Sequence, residues 1–318
     1  MSVTLKQLAE MSGLSIRTVN RVLKNQAHVH PEKRELIMRL ARDHNYIPNM
    51  AARNLRLNCS KFVGILSNLD QHTPEIYIQK MQNLEICLKS KGYYPIIGKY
   101  DMNQSVLEKI LADWSGIAEF VIVTAGNKAL LCELFQRYPL TPIYIDRDDI
   151  EDSHLLRIDR TTGIRDAIST LIQDGKKCIL HCGQQENRKY GIEAAFLATP
   201  ANKRPEKLQI PAWGSFENGR KLAPKILKSG ADAVFFDTDR MALGFLNYAA
   251  EHKIKIPEKI AVIGFDDDPA GRQIYPALST VAHPVDALNQ AILSIIENKP
   301  EKNVNMSFPT RFIRRQTS

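Results

Sequence analysis

The chain has 318 residues, 44% of them hydrophobic and 25% charged, which excludes a disordered protein and allows two or three domains. No apolar run approaches the roughly 20 residues of a membrane span, and the N-terminal MSVTLKQLAEMSG lacks the order of a signal peptide. We therefore expect a cytoplasmic protein with no membrane partner. The net charge is +8, and residues 1–60 hold ten Lys and Arg against four acids. A basic head on a nearly neutral body is typical of a polyanion-binding protein.

The first 46 residues predict three short helices. Thr4 and Gln7 form a capping-box pattern that opens the first helix, and Gly13 ends it. Ser15 can cap a second helix, SIRTVNRVLKN, and Pro31 suits the first turn of a third, PEKRELIMRLARDHN. Two helices joined by a glycine turn follow the plan of a helix-turn-helix, although a generic three-helix bundle fits the same pattern.

The outer face of the second helix is the part that would enter a major groove of DNA. Four side chains lie on it: Ile16, Arg17, Asn20 and Arg21. An arginine there can donate two hydrogen bonds to guanine, an asparagine can pair with adenine, and an isoleucine offers apolar contact only. Three further side chains are placed to reach phosphates: Thr18, Lys24 and His28.

From residue 61 onward, short apolar runs alternate with helical stretches. Strands are predicted at 61–67, 94–97, 119–124, 142–145, 177–181, 208–212, 233–237, 260–265 and 279–282. Helices are predicted at 74–91, 106–114, 128–138, 163–174, 188–197, 217–229, 239–252 and 285–298. Such alternation favours parallel sheets with helices on both faces, and the number of runs exceeds one sheet. We therefore predict two doubly wound subdomains.

The cysteines and the missing catalytic motifs indicate a protein that is not an enzyme. The five cysteines are scattered, and Cys178, His181 and Cys182 lack further ligands at metal-binding spacing, so we predict no metal and no cofactor. No nucleophile elbow, P-loop or Gly-x-Gly-x-x-Gly is present, although paired Asp residues could in principle do acid–base work.

Motifs along the whole chain resemble the lactose-repressor/galactose-repressor (LacI-GalR) family of transcriptional regulators. They include Gly13-Leu-Ser15, Thr18-Val-Asn-Arg21, Tyr46-Ile-Pro-Asn49, Ala52-Arg-Asn-Leu55 and Val262-Ile-Gly-Phe-Asp-Asp267. The resemblance implies an all-α helix-turn-helix head joined to an α/β body like the periplasmic binding proteins, with two doubly wound parallel-sheet subdomains.

The resemblance also implies how the chain is divided. A DNA-binding domain covers 1–46, a hinge helix or linker 47–60, and an effector-binding and dimerisation domain 61–318. Within the last, the N-subdomain covers 61–157 and 284–309, and the C-subdomain covers 158–283 and 310–318. The hinge helix would fold when two subunits sit together on DNA, with Leu55 inserted into the minor groove. Further implied DNA contacts are Thr4, Ser15, Tyr46, Asn49, Ala52, Arg53 and Arg56.

Several candidate effector contacts follow predicted strands, where ligands of doubly wound folds bind. Asp146, Asp237 and Asp266 each end such a strand, and Arg188 opens a helix. The resemblance implies that Arg188 and Asp266 bind effector hydroxyls. It adds Trp213 as an aromatic contact and Asp146 as a polar contact. Asn68 and His72, on the loop after the first strand, and His283, which departs from the family at a stretch that contacts the effector in some relatives, are further candidate effector contacts.

Carboxylates and a guanidinium can bind vicinal hydroxyls, and an indole can cover a pyranose, so we predict a sugar effector. A purine or nucleoside is the alternative, and an anionic ligand is less favoured because the site holds so many acids. The chain is thus predicted to be a homodimeric repressor of a carbohydrate-utilisation operon that binds a pseudo-palindromic operator. A pure solute-binding protein fits the basic head poorly, and the lack of C-terminal heptads disfavours a tetramer.

Overall fold

The computed structural model describes residues 3–23, 29–46, 61–68 and 75–318. The chain divides into two compact units, the head (residues 1–60) and the body (residues 61–318). Several predicted site residues lie outside the described residues, namely Lys24, His28, Asn49, Ala52, Arg53, Leu55, Arg56 and His72. The predicted hinge at 47–60 lies outside them as well. None of the described helices is both long enough and apolar enough to span a membrane.

The described part of the head contains the three predicted helices, α1 (Leu5–Ser12), α2 (Ile16–Leu23) and α3 (Pro31–Asp43). The capping box at Thr4 is formed, because its hydroxyl accepts from the Gln7 amide while the Gln7 side chain accepts from the Thr4 amide. Gly13 ends α1 with a φ of 66°, which favours glycine. The core of the head consists of Leu8, Ala9, Val19, Val22 and Ile37.

The body consists of alternating strands and helices. The first half contains β1 (Phe62–Ser67), α4 (Glu75–Ser90), β2 (Tyr94–Lys99), α5 (Gln104–Ser115), β3 (Ala118–Val123), α6 (Lys128–Arg137), β4 (Thr141–Ile145), β5 (His154–Asp159), α7 (Arg160–Gln173) and β6 (Cys178–Cys182). The second half contains α8 (Glu186–Ala198), β7 (Glu206–Ile210), α9 (Phe216–Lys228), β8 (Ala233–Phe236), α10 (Asp239–Glu251), β9 (Ala261–Asp266), α11 (Pro269–Gln273), β10 (Ser279–Ala282), α12 (Val285–Asn298), β11 (Asn305–Pro309) and β12 (Arg311–Ile313).

These strands form two six-stranded sheets, which define two subdomains. The N-subdomain sheet has the order β11-β5-β4-β3-β1-β2 and is parallel throughout. The C-subdomain sheet has the order β12-β10-β9-β8-β6-β7 and is parallel except for the pairing of β12 with β10. Apolar residues cover both faces of each sheet, as expected for strands that lie between layers of helices.

The chain passes between the two sheets three times. The passages fall at the end of β5, between β10 and α12, and between β11 and β12. Strand β5 extends to Asp159, two residues beyond the predicted boundary at 157. Strands β5, β11 and β12 were not predicted from the sequence. They mix charged or polar side chains with apolar ones, so they lack the continuous apolar run that marks most of the other strands.

Candidate functional site

The exposed face of α2 is the candidate nucleic-acid interface of the head. Ile16 is 45% exposed and Arg17 is also exposed, whereas Val19 and Val22 on the opposite side are buried. Asn20 and Arg21 are half-buried. Ser15 caps the helix: its hydroxyl accepts from the Thr18 amide at 3.2 Å. The helix therefore presents a mixed apolar and basic face at its N-terminal end, where a recognition helix contacts base edges.

Three other predicted DNA contacts in the head have structural roles. The Thr4 and Ser15 hydroxyls are used in helix caps, and the Ser15 hydroxyl also lies 2.9 Å from that of Thr18. Tyr46 is half-buried and packs against the core of the head. These side chains hold the helices in place, and their contacts with DNA stay predictions.

The body contains a cavity of about 440 Å³ in which strand ends and two helices meet. The strand-end and connecting residues along it are Ser67, Asn68, Thr124, Ala125, Ile145, Asp146, Ile158 and His283, and Arg160 lines it from the start of α7. Helix α4 contributes Tyr77, Lys80, Met81 and Leu84, and α12 contributes Val285, Leu288, Asn289 and Ile292. Three predicted effector residues thus line the same cavity: Asn68, Asp146 and His283. Each helix contributes at spacings of three and four residues, which bring side chains to one helical face.

Asp146 and Arg160 form an ion pair at one wall of this cavity. Asp146 follows β4 with a φ of 59°, and Arg160 is the first residue of α7. The guanidinium donates to both carboxylate oxygens, with 2.7 Å between Nη1 and Oδ1. Burial alone would raise the pKa of Asp146, but the hydrogen bonds and charge of Arg160 outweigh it and hold that pKa below its usual value. Arg160 was not predicted as a site residue. Its position next to a strand end was a sequence signal that could have identified it.

Arg188 is a buried cation whose surroundings contain a ring face and an amide. It lies in the first turn of α8, is 4% exposed, and its Cζ lies 3.5 Å from the ring centroid of Phe265. Nη1 donates to the Asn187 side chain at 3.2 Å, and Nε has no partner. Among the described residues Arg188 forms no ion pair. Burial lowers its pKa to about 10, and the nearby Asp266 partly offsets this effect.

Asp266 and His283 are both neighbours of Phe265, Asp266 along the chain and His283 through a ring contact. Asp266 ends β9 with a φ of 118°, and its Oδ1 lies 3.1 Å from His283 Nε2. His283 packs edge-on against Phe265, with 5.1 Å between the ring centroids. Burial lowers the pKa of His283 to about 4 despite the hydrogen bond with Asp266, so its imidazole is neutral near pH 7. Nε2 then donates to Asp266, which leaves the buried Nδ1 as an acceptor without a partner.

Tyr77 and Lys80 of α4 lie near the residues just described, and neither side chain was predicted to belong to the site. Both lie within electrostatic range of Asp266 and Arg188, so N- and C-subdomain side chains face each other here. Lys80 Nζ lies 5.0 Å from the ring centroid of Tyr77. Burial lowers the pKa of Lys80 to about 8, although Asp266 acts in the opposite direction.

Asp237 does not line the cavity, which corrects the expectation of an effector contact. It is fully buried, and its carboxylate lies 2.7 Å from His181 Nε2 and accepts from the Gln185 amide at 2.8 Å. Gly183 packs so closely that a Cβ there would lie 2.0 Å from the Asp237 Cγ. Both carboxylate oxygens are therefore engaged within the protein. Asp237 positions the turn before α8, and with it Arg188.

Trp213 also lies away from the cavity lining. It is 75% exposed and precedes α9, so it neither belongs to the core nor covers the cavity in this structure. Its predicted packing against an effector stays a prediction and would require the side chain to move toward the ligand.

A buried carboxylate supports the backbone that carries Asp266. Asp239 accepts from the Thr280 hydroxyl at 2.6 Å and from the Asp268 amide at 2.7 Å. Burial raises its pKa to about 8, partly offset by the hydrogen bond from Thr280. The group thereby ties α10 and β10 to the turn after β9. The residues that the structure describes include no cluster of His, Cys, Asp and Glu suited to a metal ion.

A small helical head with an exposed recognition helix, followed by a two-subdomain ligand-binding body, defines the class of ligand-responsive DNA-binding regulators. The family model "Bacterial regulatory proteins, lacI family" matches residues 4–49, and the model "Periplasmic binding protein-like domain" matches residues 168–318. Residues 4–49 therefore form a LacI-family DNA-binding domain, residues 168–318 belong to a periplasmic-binding-protein-like domain, and the protein is not an enzyme. The predicted family and fold class are thereby confirmed.

Similar proteins cover the whole length of the chain. A ribose operon repressor from Lactococcus lactis is 26% identical, over 99% of this chain and 97% of its own length. The NTD biosynthesis operon regulator NtdR from Bacillus subtilis is 27% identical, over 99% of both chains. Among solved structures, the lac repressor bound to ONPG in the repressed state matches all of both chains with a TM-score of 0.76 at 20% identity.

Proposed function

We propose that this regulator binds a pseudo-palindromic operator as a homodimer and represses carbohydrate-utilisation genes until a small sugar-like effector enters the body. The observation that carries the proposal is the buried Arg188 guanidinium, which forms no ion pair among the described residues and has an unpartnered Nε. A buried charge without a matching partner is costly, so a protein that retains one is suited to a ligand that supplies the partner.

The head supports the DNA-binding half of the proposal. Arg17 and Ile16 are exposed on α2, where one can contact guanine and the other a thymine methyl group. The excess of basic residues in the first 60 adds attraction to phosphates. A single helix of this size reads only a few base pairs, and two heads on a symmetric operator would double the recognition.

The body supports the effector half. Asp146 and Asn68 on the N-subdomain side, together with His283 from the chain that returns from the C-subdomain, offer donors and acceptors within one cavity. Relatives named as ribose operon repressors make a sugar the first class to test. An effector that contacts both subdomains would favour one arrangement of them, and its affinity and the operator affinity would then be coupled reciprocally.

Operator selection followed by an effector titration tests the proposal. Duplexes that bind the full-length chain would be enriched from a random pool, and the affinity of the winner measured by fluorescence anisotropy with and without candidate sugars. We expect a site with two-fold symmetry, binding as a dimer in sedimentation, and a change in affinity of at least about tenfold when an effector is bound. An asymmetric site bound by one chain would contradict the dimer.

A further inference from the structure

We infer that the effector carries a carboxylate or phosphate group, and that Lys80 and Arg188 together bind it. This inference rests on the proposed function and assigns a chemical class to the ligand of the same cavity. It reverses the expectation from the sequence, where the number of acids near the strand ends favoured a neutral sugar.

The acids near the strand ends already have partners within the protein. Asp146 receives two hydrogen bonds from Arg160, and Asp266 is bonded to His283. Asp237 is bonded to His181 and to the Gln185 amide. Asp267 pairs with Arg272 and with Arg315, and Asp239 accepts from Thr280 and from the Asp268 amide. The carboxylates that suggested a neutral, hydroxyl-rich ligand are thus largely engaged.

Two cations near these acids are in the opposite situation: Lys80 lines the cavity, whereas Arg188 lies outside its lining and packs on the Phe265 ring that His283 of the lining also contacts. In the part of the chain that the structure describes, Lys80 Nζ makes no ion pair or hydrogen bond, and it lies 5.0 Å from the ring centroid of Tyr77. Arg188 has one neutral amide and the face of Phe265. The two lie within electrostatic range of each other: Arg188 disfavours the charged form of Lys80, and Arg160 disfavours the charged forms of both. An anion between them would relieve both the burial of charge and this repulsion.

The remaining lining fits the rest of such a ligand. Hydroxyl groups can donate to the unpartnered His283 Nδ1 and bond with Asn68 and Asn289. Met81, Leu84, Leu288 and Ile292 also line the cavity and provide an apolar wall for a carbon skeleton. A neutral sugar could use the same hydrogen bonds, but it would add no counter-charge to that of Asp266, which is already bonded to His283.

Matched ligand pairs on the full-length protein test the inference. The probes are glucose, glucuronate and glucose 6-phosphate, then ribose, ribonate and ribose 5-phosphate, measured by thermal shift and by isothermal titration. At least one acid or phosphate should raise the Tm where its neutral parent does not, and the better of the two anionic series identifies the carboxylate or the phosphate. Lys80→Met should lower the affinity for that ligand by at least about tenfold.

The control is Lys89→Met on the same helix, because Lys89 is exposed and paired with Glu85. It should leave the affinity unchanged. Inorganic phosphate provides a probe that does not depend on the panel: against chloride at equal ionic strength, it should stabilise the unsubstituted protein more than Lys80→Met. An equal response of the two proteins would overturn the inference, as would a neutral sugar that binds as tightly as its acid.

The outcomes separate this inference from the function on which it rests. If a neutral sugar binds and releases the operator, the effector function stands and the anionic class fails. If an anion binds through Lys80 but leaves the operator affinity unchanged, the anion site stands and the effector function fails.

Discussion

The head and the body both depend on positive charge, but they place it in opposite environments. On α2 of the head, Arg17 is exposed to water, where salt screens its charge. When such a cation binds a dense polyanion, counterions condensed on the polyanion are released. In the body, Arg188 is 4% exposed, so burial shields its charge from salt, and it forms no ion pair among the described residues. An exposed cation without a partner costs little free energy, because water solvates it. A buried cation without a partner costs more, so it favours binding of a ligand with matching charge and shape. The head therefore attracts its partner through exposed, salt-screened charge, whereas the body selects its partner through buried charge.

The largest expected difference between the regions is in the free energy of unfolding when one glycine in each is replaced by alanine. Gly183→Ala in the body should destabilise the protein by roughly 3 kcal/mol or more, because the new methyl would displace the buried Asp237 carboxylate from His181 and Gln185. Gly13→Ala in the head meets no atom within 4 Å, and its positive φ should cost about 1 kcal/mol. Urea unfolding of the two variants measures both effects. Equal losses would show that the contacts of Asp237 are not critical.

The next effect concerns Arg188 itself. Arg188→Leu should weaken effector binding by about a hundredfold, because the ligand loses a buried, charge-assisted contact. Operator affinity without effector should stay unchanged, since the head is intact. Titration calorimetry and anisotropy on the same preparation compare the two. A variant that binds effector normally would remove Arg188 from the site, and one with a sharply lowered Tm would assign it a structural role.

A third effect is a dependence of stability on pH that belongs to the body. The folded protein keeps His283 neutral down to about pH 4, whereas the unfolded chain takes up a proton near pH 6.5, so acid favours unfolding between these values. The loss should reach at most about 3 kcal/mol by pH 4. Urea unfolding at pH 7.5, 5.5 and 4.5 measures it, and His283→Gln should make the dependence shallower. The exposed His252, substituted in the same way, is the control, and an identical pH dependence in both variants would contradict the assignment.

The smallest effect concerns a single base pair. Arg17→Ala should cost about 1–3 kcal/mol of operator affinity and relax the preference at one position of each half-site. Competition against operators changed at each position measures the loss. A uniform loss on all sequences, with a shallower salt dependence, would mean that Arg17 contacts phosphate instead of a base.

The sequence patterns predicted the fold better than the site. Nine strands and eight helices of the body were predicted near their observed bounds, because alternating apolar runs are a direct consequence of a sheet between helix layers. Edge strand β11 was missed because most of its residues are exposed, and β12 because it has three residues. Such strands are fixed by the neighbours they pair with, which local sequence does not reveal.

At the site, position along a strand was predictable, but pairing was not. Asp146 and Asp237 end their strands in the same way, yet one lines the cavity and the other is buried against His181. The difference comes from a histidine 56 residues earlier in the chain, which no local pattern connects to Asp237. Lys80 was missed for a related reason, since which face of α4 meets the cavity depends on how that helix packs against the sheet.

The three passages of the chain between the subdomains have a consequence for how such regulators diversify. One crossover between related genes near residue 60 exchanges a complete head, because a single covalent connection joins it to the body. No single crossover within the body exchanges a complete subdomain, since each is assembled from separate stretches of the chain. Operator preference can therefore be inherited as a block, whereas ligand preference has to change substitution by substitution around the cavity.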